Sequence, residues 1–316
     1  MRKILVISAS RAEHGLLEPI MTELQKRDDV VAQWCILTPI NTRDFESIFL
    51  PLAVALEEFN PDIVLVPTDR WEMVHVAAYA FNNGFIVSQF HAGDAGDATF
   101  DEMNRYAISF LSHILFCETE EAKENLLKIG FEQNRIFVVG STALDHIKID
   151  ESLCPNEPYD LVLLHPDTTS ATATRKDLEE TQKIIQHSPL IVWIAGNQDR
   201  NGEIIHNFLK RLKAKYDIEK PDKWYAGPYI SVIFDNLPRP QFLGLLKNCR
   251  CAVGNSSAFT YELPLINTEA KLIKVGERNK NRNPPSIHRH GSKKIAQILS
   301  KIPLDDLRRK RLLLDT

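Results

Sequence analysis

The sequence is short of the features that mark a specialised class. Only five of its 316 residues are cysteine (Cys35, Cys117, Cys154, Cys249 and Cys251). They follow no zinc-ligand spacing, and their odd number argues against the disulfide framework of a small secreted domain. Charge of one sign is equally scarce, because 38 Lys+Arg against 42 Asp+Glu leave a formal net charge of -4. That balance offers no electrostatic footprint for sequence-independent binding of nucleic acid or of an anionic membrane surface. No apolar run nears the ~20 residues of a membrane span. The opening Met1-Arg2-Lys3 and Ile4–Ile7 turn polar at Ser8–Glu13, which reads as a first buried strand and not as a signal peptide. Internal repeats, low-complexity tracts and long charge runs are also missing, and the basic stretch Arg308–Arg311 reads as a solvated helix end. These absences predict a soluble, cytoplasmic protein that engages neither nucleic acid nor membrane.

The composition that remains, 44% hydrophobic and 25% charged, is that of a globular chain, and its length suits two domains of ~150 residues each. Short apolar runs alternate with amphipathic stretches. Strands are predicted at Ile4–Ser8, Val31–Leu37, Asp62–Val66, Phe85–Phe90, His113–Cys117 and Ile136–Val139. Most are continuously apolar, as strands covered on both faces are. Helices fall between them at Ala12–Arg27, Asp44–Phe59, Trp71–Asn82, Phe100–Leu111 and Glu118–Ile129, the last closed by Gly130 as a C-cap. The polar stretch Asp150–Pro158 reads as a linker. The alternation then restarts, with strands at Asp160–Leu164, Leu190–Ala195, Tyr229–Phe234, Arg250–Val253 and Leu272–Val275. Its helices are predicted at Ala173–His187, Gly202–Tyr216, Gln241–Asn248 and Ala258–Leu263. Repeated strand–helix alternation predicts an α/β fold of two Rossmann-like doubly wound domains, residues 1–150 and 151–316, facing across a cleft. The last helix is expected to pack back on the first domain.

Ligands of such sheets bind beyond the carboxyl ends of the strands, so the residues that follow each strand carry the functional information. The first strand is followed by Ser8-Ala9-Ser10-Arg11-Ala12-Glu13-His14-Gly15, with no glycine before the helix and therefore no dinucleotide fingerprint. Ser10 suits an N-cap, while Arg11 beside a helix amino terminus suits an anion. Asp69-Arg70-Trp71-Glu72 follows the third strand, as an N-cap with an ion pair or as part of a site. The turn after the fourth strand is the most polar in the chain, with His91, Asp94, Asp97, Asp101 and Glu102. Asp101 and Glu102 also suit the first turn of a helix, and a metal site from His91, Asp94 and Asp97 has no second ligand cluster behind it. No metal and no cofactor is expected.

In the second half the strand ends carry His165-Pro166-Asp167-Thr168, Gly196-Asn197-Gln198-Asp199, Gly254-Asn255-Ser256-Ser257 and Gly276-Glu277-Arg278. Ser256 and Ser257 fit an N-cap and a phosphate cradle equally well, and Glu262 lies close enough to accept from ribose hydroxyls. The halves thus differ: phosphate-type donors lie in the second and carboxylates in the first. That division suits a nucleotide-linked substrate whose diphosphate leaves under acid–base catalysis.

Taken in order, these motifs resemble the hydrolysing UDP-N-acetylglucosamine 2-epimerase family, of the branch that feeds sialic-acid-type sugar synthesis. Ser10-Arg11-Ala12-Glu13-His14-Gly15 is similar to its Ser-Arg-Ala-Glu-Tyr-Gly, and Asp69-Arg70-Trp71-Glu72 to its Gly-Asp-Arg-Tyr-Glu. His91-Ala92-Gly93-Asp94 falls on His-Gly-Gly-Glu, and Asp101-Glu102-Met103-Asn104-Arg105 on an acidic-then-Arg helix start. His165-Pro166-Asp167-Thr168 resembles His-Pro-Glu-Thr, and Gly254-Asn255-Ser256-Ser257 with Glu262 and Pro264 matches Gly-Asn-Ser-Ser followed by Glu and Pro. Gly276–Arg282 resembles Gly-Asp-Arg-Gln-Lys-Gly-Arg. The resemblance implies the family's fold, akin to two-domain GT-B glycosyltransferases, and a homodimer.

It also implies a site. Arg11, His165, Asn197, Ser256, Ser257, Glu262 and Arg278 would hold UDP, and Asp69, Asp94, Asp101 and Glu102, with His165, would supply the chemistry. UDP would leave by anti elimination across C1–C2, and water would add to the glycal to give N-acetylmannosamine. The chain departs from the pattern where Asp94 replaces a glutamate, and where Thr38-Pro39-Ile40-Asn41 replaces a Thr-Gly-x-His loop. Two rival readings use the same fold: a glycosyltransferase and a non-catalytic nucleotide-sugar binder.

Overall fold

Continuous apolar strands need cover on both faces, and the chain supplies it with a helix after nearly every strand. The computed structural model describes residues 1–39, 44–95, 100–146, 148–188, 190–196, 199–216, 232–280 and 290–307, without the side chains of Arg11, Ala12, Lys215 and Tyr216. In the first unit β1 (Arg2–Ser8), β2 (Val30–Ile36), β3 (Ile63–Val66), β4 (Ile86–Phe90), β5 (Ile114–Cys117) and β6 (Ile136–Val138) form one sheet. All its pairs are parallel, in the order β2-β1-β3-β4-β5-β6. Between the strands run α1 (Arg11–Gln25), α2 (Glu46–Phe59), α3 (Trp71–Asn82), α4 (Phe100–Leu111) and α5 (Glu120–Ile129). Ile4, Leu5, Val6 and Ile7 are fully buried, with alternate residues facing opposite layers. Ile4 and Val6 meet Leu17, Ile20, Met21 and Leu24 of α1, a spacing that puts one stripe of that helix on the sheet. Leu5 and Ile7 meet α2 and α3. Gly130 takes the left-handed conformation (φ 99°) that closes α5.

In the second unit β7 (Asp160–Leu164), β8 (Ile191–Ala195), β9 (Val232–Phe234), β10 (Cys251–Gly254) and β11 (Lys271–Lys274) make a second sheet. It too is parallel throughout, in the order β11-β10-β7-β8-β9. Its helices are α6 (Ala171–Ile185), α7 (Gly202–Tyr216), α8 (Arg239–Asn248), α9 (Ala258–Tyr261) and α10 (Leu263–Ile266). Of the strand expected over Tyr229–Phe234, residues 229–231 lie outside the described residues, as do Arg308–Arg311. Asp150–Pro158 forms neither helix nor strand.

Two differences from the sequence reading matter. The helix expected over Ala258–Leu263 is a single turn that stops at Tyr261 and restarts at Leu263. Pro264 lacks the amide hydrogen that would continue the first helix, and it is accommodated in the first turn of the next. The second difference is α11 (Gly291–Lys301), which lay outside the helices predicted by residue range. Its Ile295, Ala296 and Leu299 join the core of the first sheet beside α1. The units accordingly consist of Met1–Ala95, Asp101–His146 and Pro285–Thr316, and of Gly96–Phe100 with Ile147–Pro284.

Candidate active site

Each sheet reverses its winding once, and the carboxyl ends of the strands diverge there. In the first sheet the reversal lies between β1 and β3, in the second between β7 and β10. The polar turns singled out from the sequence gather at these two places.

At the first, Ser10 caps α1 by accepting from the Glu13 amide (3.2 Å). Glu13 returns the contact, accepting from the Ala9 amide and the Ser10 hydroxyl, both at 3.1 Å. This reciprocal pattern is a capping box. α1 begins at Arg11, whose side chain lies outside the described part. The Glu13 carboxyl is 3% exposed, and burial pushes it up to about 7 against the pull of Arg70 and the Ala9 amide. Past β3, the Thr68 hydroxyl donates to Glu13 (3.3 Å), and Arg70 pairs with the buried Glu72 (2.6 Å).

Asp69 is held from beneath. The guanidinium of Arg105 on α4, 1% exposed, donates through one nitrogen to the Asp69 carboxylate and through another to the main-chain oxygen of Asp94 (2.9 Å). The fully buried Gln89 of β4 donates to the carbonyls of Thr68 (3.1 Å) and Arg105 (3.0 Å). One arginine and one glutamine thereby lock the β3, β4 and α4 ends together. Tyr106 reaches the Gly93 carbonyl (3.4 Å), and burial, then the Glu102 charge, raises its hydroxyl above the usual range, with Asp94 adding to the effect. Asp69, Asp94 and Glu102 thus share one neighbourhood. Asp101 sits beside Glu102 in the first turn of α4. His91 lies 3.1 Å from the buried Glu118, which opens the turn after β5. Asp97 falls outside the described residues. Among the described residues no group of three or more His, Cys, Asp or Glu is placed to hold a metal ion.

The second reversal has a different chemistry. The Asn255 side chain bridges β10 to β7, accepting from the His165 amide (2.7 Å) and donating to the His165 carbonyl (2.9 Å). Asn279 donates to the Asn255 carbonyl (2.6 Å), and Arg278 to the Pro166 carbonyl (3.0 Å). Burial, then the Arg278 charge, drives the His165 imidazole down to about 3, so it is neutral at ordinary pH. Gly254 adopts φ 143°, and a Cβ there would stand 2.0 Å from the Leu163 carbonyl oxygen, so only glycine lets the two strand ends approach. The Ser256 hydroxyl accepts from the Ala258 amide (3.3 Å), whereas Ser257, at the N-cap of α9, makes no side-chain cap bond. Glu262 follows that turn, 6% exposed, with one oxygen held by Arg239 at 2.9 Å. Asn197 lies outside the described residues.

The structure therefore brings His165, Ser256, Ser257 and Arg278 to one edge, with Glu262 just beyond. It brings Asp69, Asp94, Asp101 and Glu102 to the carboxyl edge of the other sheet. Of the residues that hold these in place, Glu13, Arg105, Asn255 and Asn279 stand inside the motifs quoted from the sequence but carried no role there, and Thr68, Gln89 and Arg239 were missed. Ser-x-x-Glu spacing marks Glu13 as a cap partner, but nothing local shows what the rest hold, because their bonds are made to other segments of the chain.

This arrangement has a family. Residues 45–303 match the family described as UDP-N-acetylglucosamine 2-epimerase. The chain belongs to that family. It is 26% identical to the GDP/UDP-N,N'-diacetylbacillosamine 2-epimerase (hydrolyzing) of Campylobacter jejuni, over 89% of this chain and 82% of that one. It is also 26% identical to a UDP-N-acetylglucosamine 2-epimerase of Neisseria meningitidis, over 90% of this chain and 82% of that one. The fold is that of the Methanocaldococcus jannaschii UDP-GlcNAc 2-epimerase solved with UDP-GlcNAc and UDP, at a TM-score of 0.66 and 21% identity, covering 99% of this chain and 96% of that one. Within the epimerase family fold, the two reversal points carry the turns on which its resemblance rests.

Proposed function

We propose that this protein is a hydrolysing 2-epimerase acting on a UDP-linked 2-acetamido sugar. The observation that carries the reading is the unequal chemistry of the two reversal points. The β7/β10 edge offers neutral donors suited to a diphosphate: the main-chain amides of the turn that follows Gly254, the Ser256 and Ser257 hydroxyls and the uncharged His165. Arg11 and Arg278 supply positive charge, and Glu262, oriented by Arg239, accepts from ribose hydroxyls. The first sheet's edge instead concentrates carboxyl groups, the acid–base equipment that elimination of UDP across C1–C2 requires. One carboxylate takes the C2 proton, and a protonated partner assists the departing oxygen. Water then adds to the 2-acetamidoglucal to give the free sugar with C2 inverted. Asp69, Asp94, Asp101 and Glu102 are the groups for these steps.

UDP-N-acetylglucosamine and its N,N'-diacetylated 6-deoxy counterpart, UDP-N,N'-diacetylbacillosamine, are both substrates to test, since relatives carry both names. The experiment incubates the protein with each in D2O, without acceptor, and follows UDP, the free sugar and deuterium at C2. UDP with a C2-deuterated, C2-inverted sugar supports the reading and identifies the substrate. UDP released only on addition of an acceptor makes the protein a transferase, and tight binding without turnover makes it a binder. Asp101→Asn should abolish turnover and leave UDP affinity within about three-fold, as for a group used only in the chemical step.

A further inference from the structure

We propose that Glu13 is a positioning residue that ties the β1–α1 turn to the β3–α3 turn and thereby aims Asp69. The inference rests on the reading of Asp69 as one of the acid–base groups. A capping box needs only the first turn of its own helix, and the bonds from Ala9 and Ser10 satisfy it. The bond from the Thr68 hydroxyl does something else, since it crosses to the turn after β3, 55 residues away in sequence. Thr68 itself is held in an uncommon state: it is β-branched yet has φ +34°, close to the left-handed region that such residues avoid. Two contacts keep it there, Glu13 on its hydroxyl and Gln89 on its carbonyl. Asp69 is the next residue, with Arg105 on its carboxylate. Strained turns of this kind persist where the surroundings over-determine them, and Glu13 is one of the determinants.

The tie is strongest when Glu13 is ionised, because a carboxylate then accepts from all three donors on its two oxygens, whereas protonation turns one oxygen into a donor with donors facing it. The charged groups facing it are Arg70, which favours ionisation, and Glu72, which opposes it. Burial outweighs both and brings the change to about pH 7. Turnover should therefore rise across neutrality as Glu13 loses its proton.

The test compares wild type, Thr68→Val, Thr68→Ser and Glu13→Gln for steady-state UDP release from about pH 5 to about pH 9, with UDP affinity by calorimetry. Thr68→Val should lower kcat ~10–100-fold, the scale of a lost hydrogen bond to a charged group, and leave UDP affinity within about two-fold. Thr68→Ser, which keeps the hydroxyl, should retain most of the rate. Glu13→Gln should lose rate and the rise near pH 7 together. A Thr68→Val variant with wild-type kcat, or a Glu13→Gln variant that keeps the rise, overturns the inference.

If the wild type releases no UDP, the proposed reaction is wrong, and the tie is judged by thermal unfolding alone. A carboxyl raised in the folded state favours folding while protonated, so the Tm of wild type minus that of Glu13→Gln should fall between about pH 4.5 and 7 and level off above. Losing the Thr68 donor should move the end of that fall to higher pH. A flat difference, or an end point unmoved in Thr68→Val, overturns the tie.

Discussion

Single side chains at both reversal points are set by partners far away in sequence. Arg105 closes the acidic-then-Arg helix start, but its task shows only where its guanidinium meets Asp69 and the Asp94 carbonyl. A buried guanidinium needs such partners, since desolvating it without them would be costly. His165 is the complementary case, a half-buried histidine whose imidazole is desolvated and kept uncharged. An unfolded histidine titrates near ~6.5, and the folded one near about 3. As pH falls through that interval the unfolded chain takes up a proton that the folded chain refuses, so stability is lost on acidification. His165→Gln removes this penalty. The Tm advantage of wild type over His165→Gln should shrink between about pH 7 and about pH 5, and an advantage constant with pH would mean that His165 titrates freely in the fold.

Among elements, the turn after β4 owes its course to one glycine. Gly93 has φ 77°, and a Cβ there would lie 2.1 Å from the Ala122 carbonyl oxygen and 2.8 Å from Leu126 on α5. Backbone at the receiving end leaves no flexible atom to yield. Gly93→Ala should destabilise the protein by about 2 kcal/mol or more, measured by urea unfolding, since overpacking and a forbidden φ act together. Because the same turn carries His91 and Asp94, the variant should also lose activity beyond its loss of stability. The single turn α9 has a parallel lesson. Too short for an additive helix dipole, it offers a ligand only the local amides and hydroxyls of residues 254–257.

For the whole chain, the decisive feature is the return of α11 to the first unit. Its N-cap position is His290, with φ 76° and no cap bond of its own. Asp145 caps it instead, accepting from the His290 amide (3.0 Å), the Ser292 amide (3.0 Å) and the Ser292 hydroxyl (2.6 Å). The clamp lies next to the residues at which the chain passes between the two units. Asp145→Ala removes a cap and leaves buried donors unpaired, and should cost about 2–3 kcal/mol in chemical unfolding. Early proteolytic cleavage ahead of α11 should accompany it, and wild-type resistance there would mean that α11 docks through its apolar face alone.

Much of this architecture is legible in the sequence alone. Continuous apolar runs such as Ile4–Ile7, the Ser10 cap and the Gly130 stop are local signals, because strand, cap and αL preferences are properties of a few neighbouring residues. They yielded the α/β class and nearly every element in order. The strand-end turns were readable for the same reason: a doubly wound sheet always presents its chemistry there. What could not be read locally is which turns become neighbours and what holds them. Strand order places β1 beside β3 and β7 beside β10, and only that order joins Thr68 to Glu13 and Asn255 to His165. Arg105 under Asp69, Asp145 on α11 and the burial that brings Glu13 to about 7 are likewise long-range products of packing. Local preference chose the parts, and the desolvation of their polar groups on packing chose the partners, since a buried donor or charge must find one wherever the fold brings it.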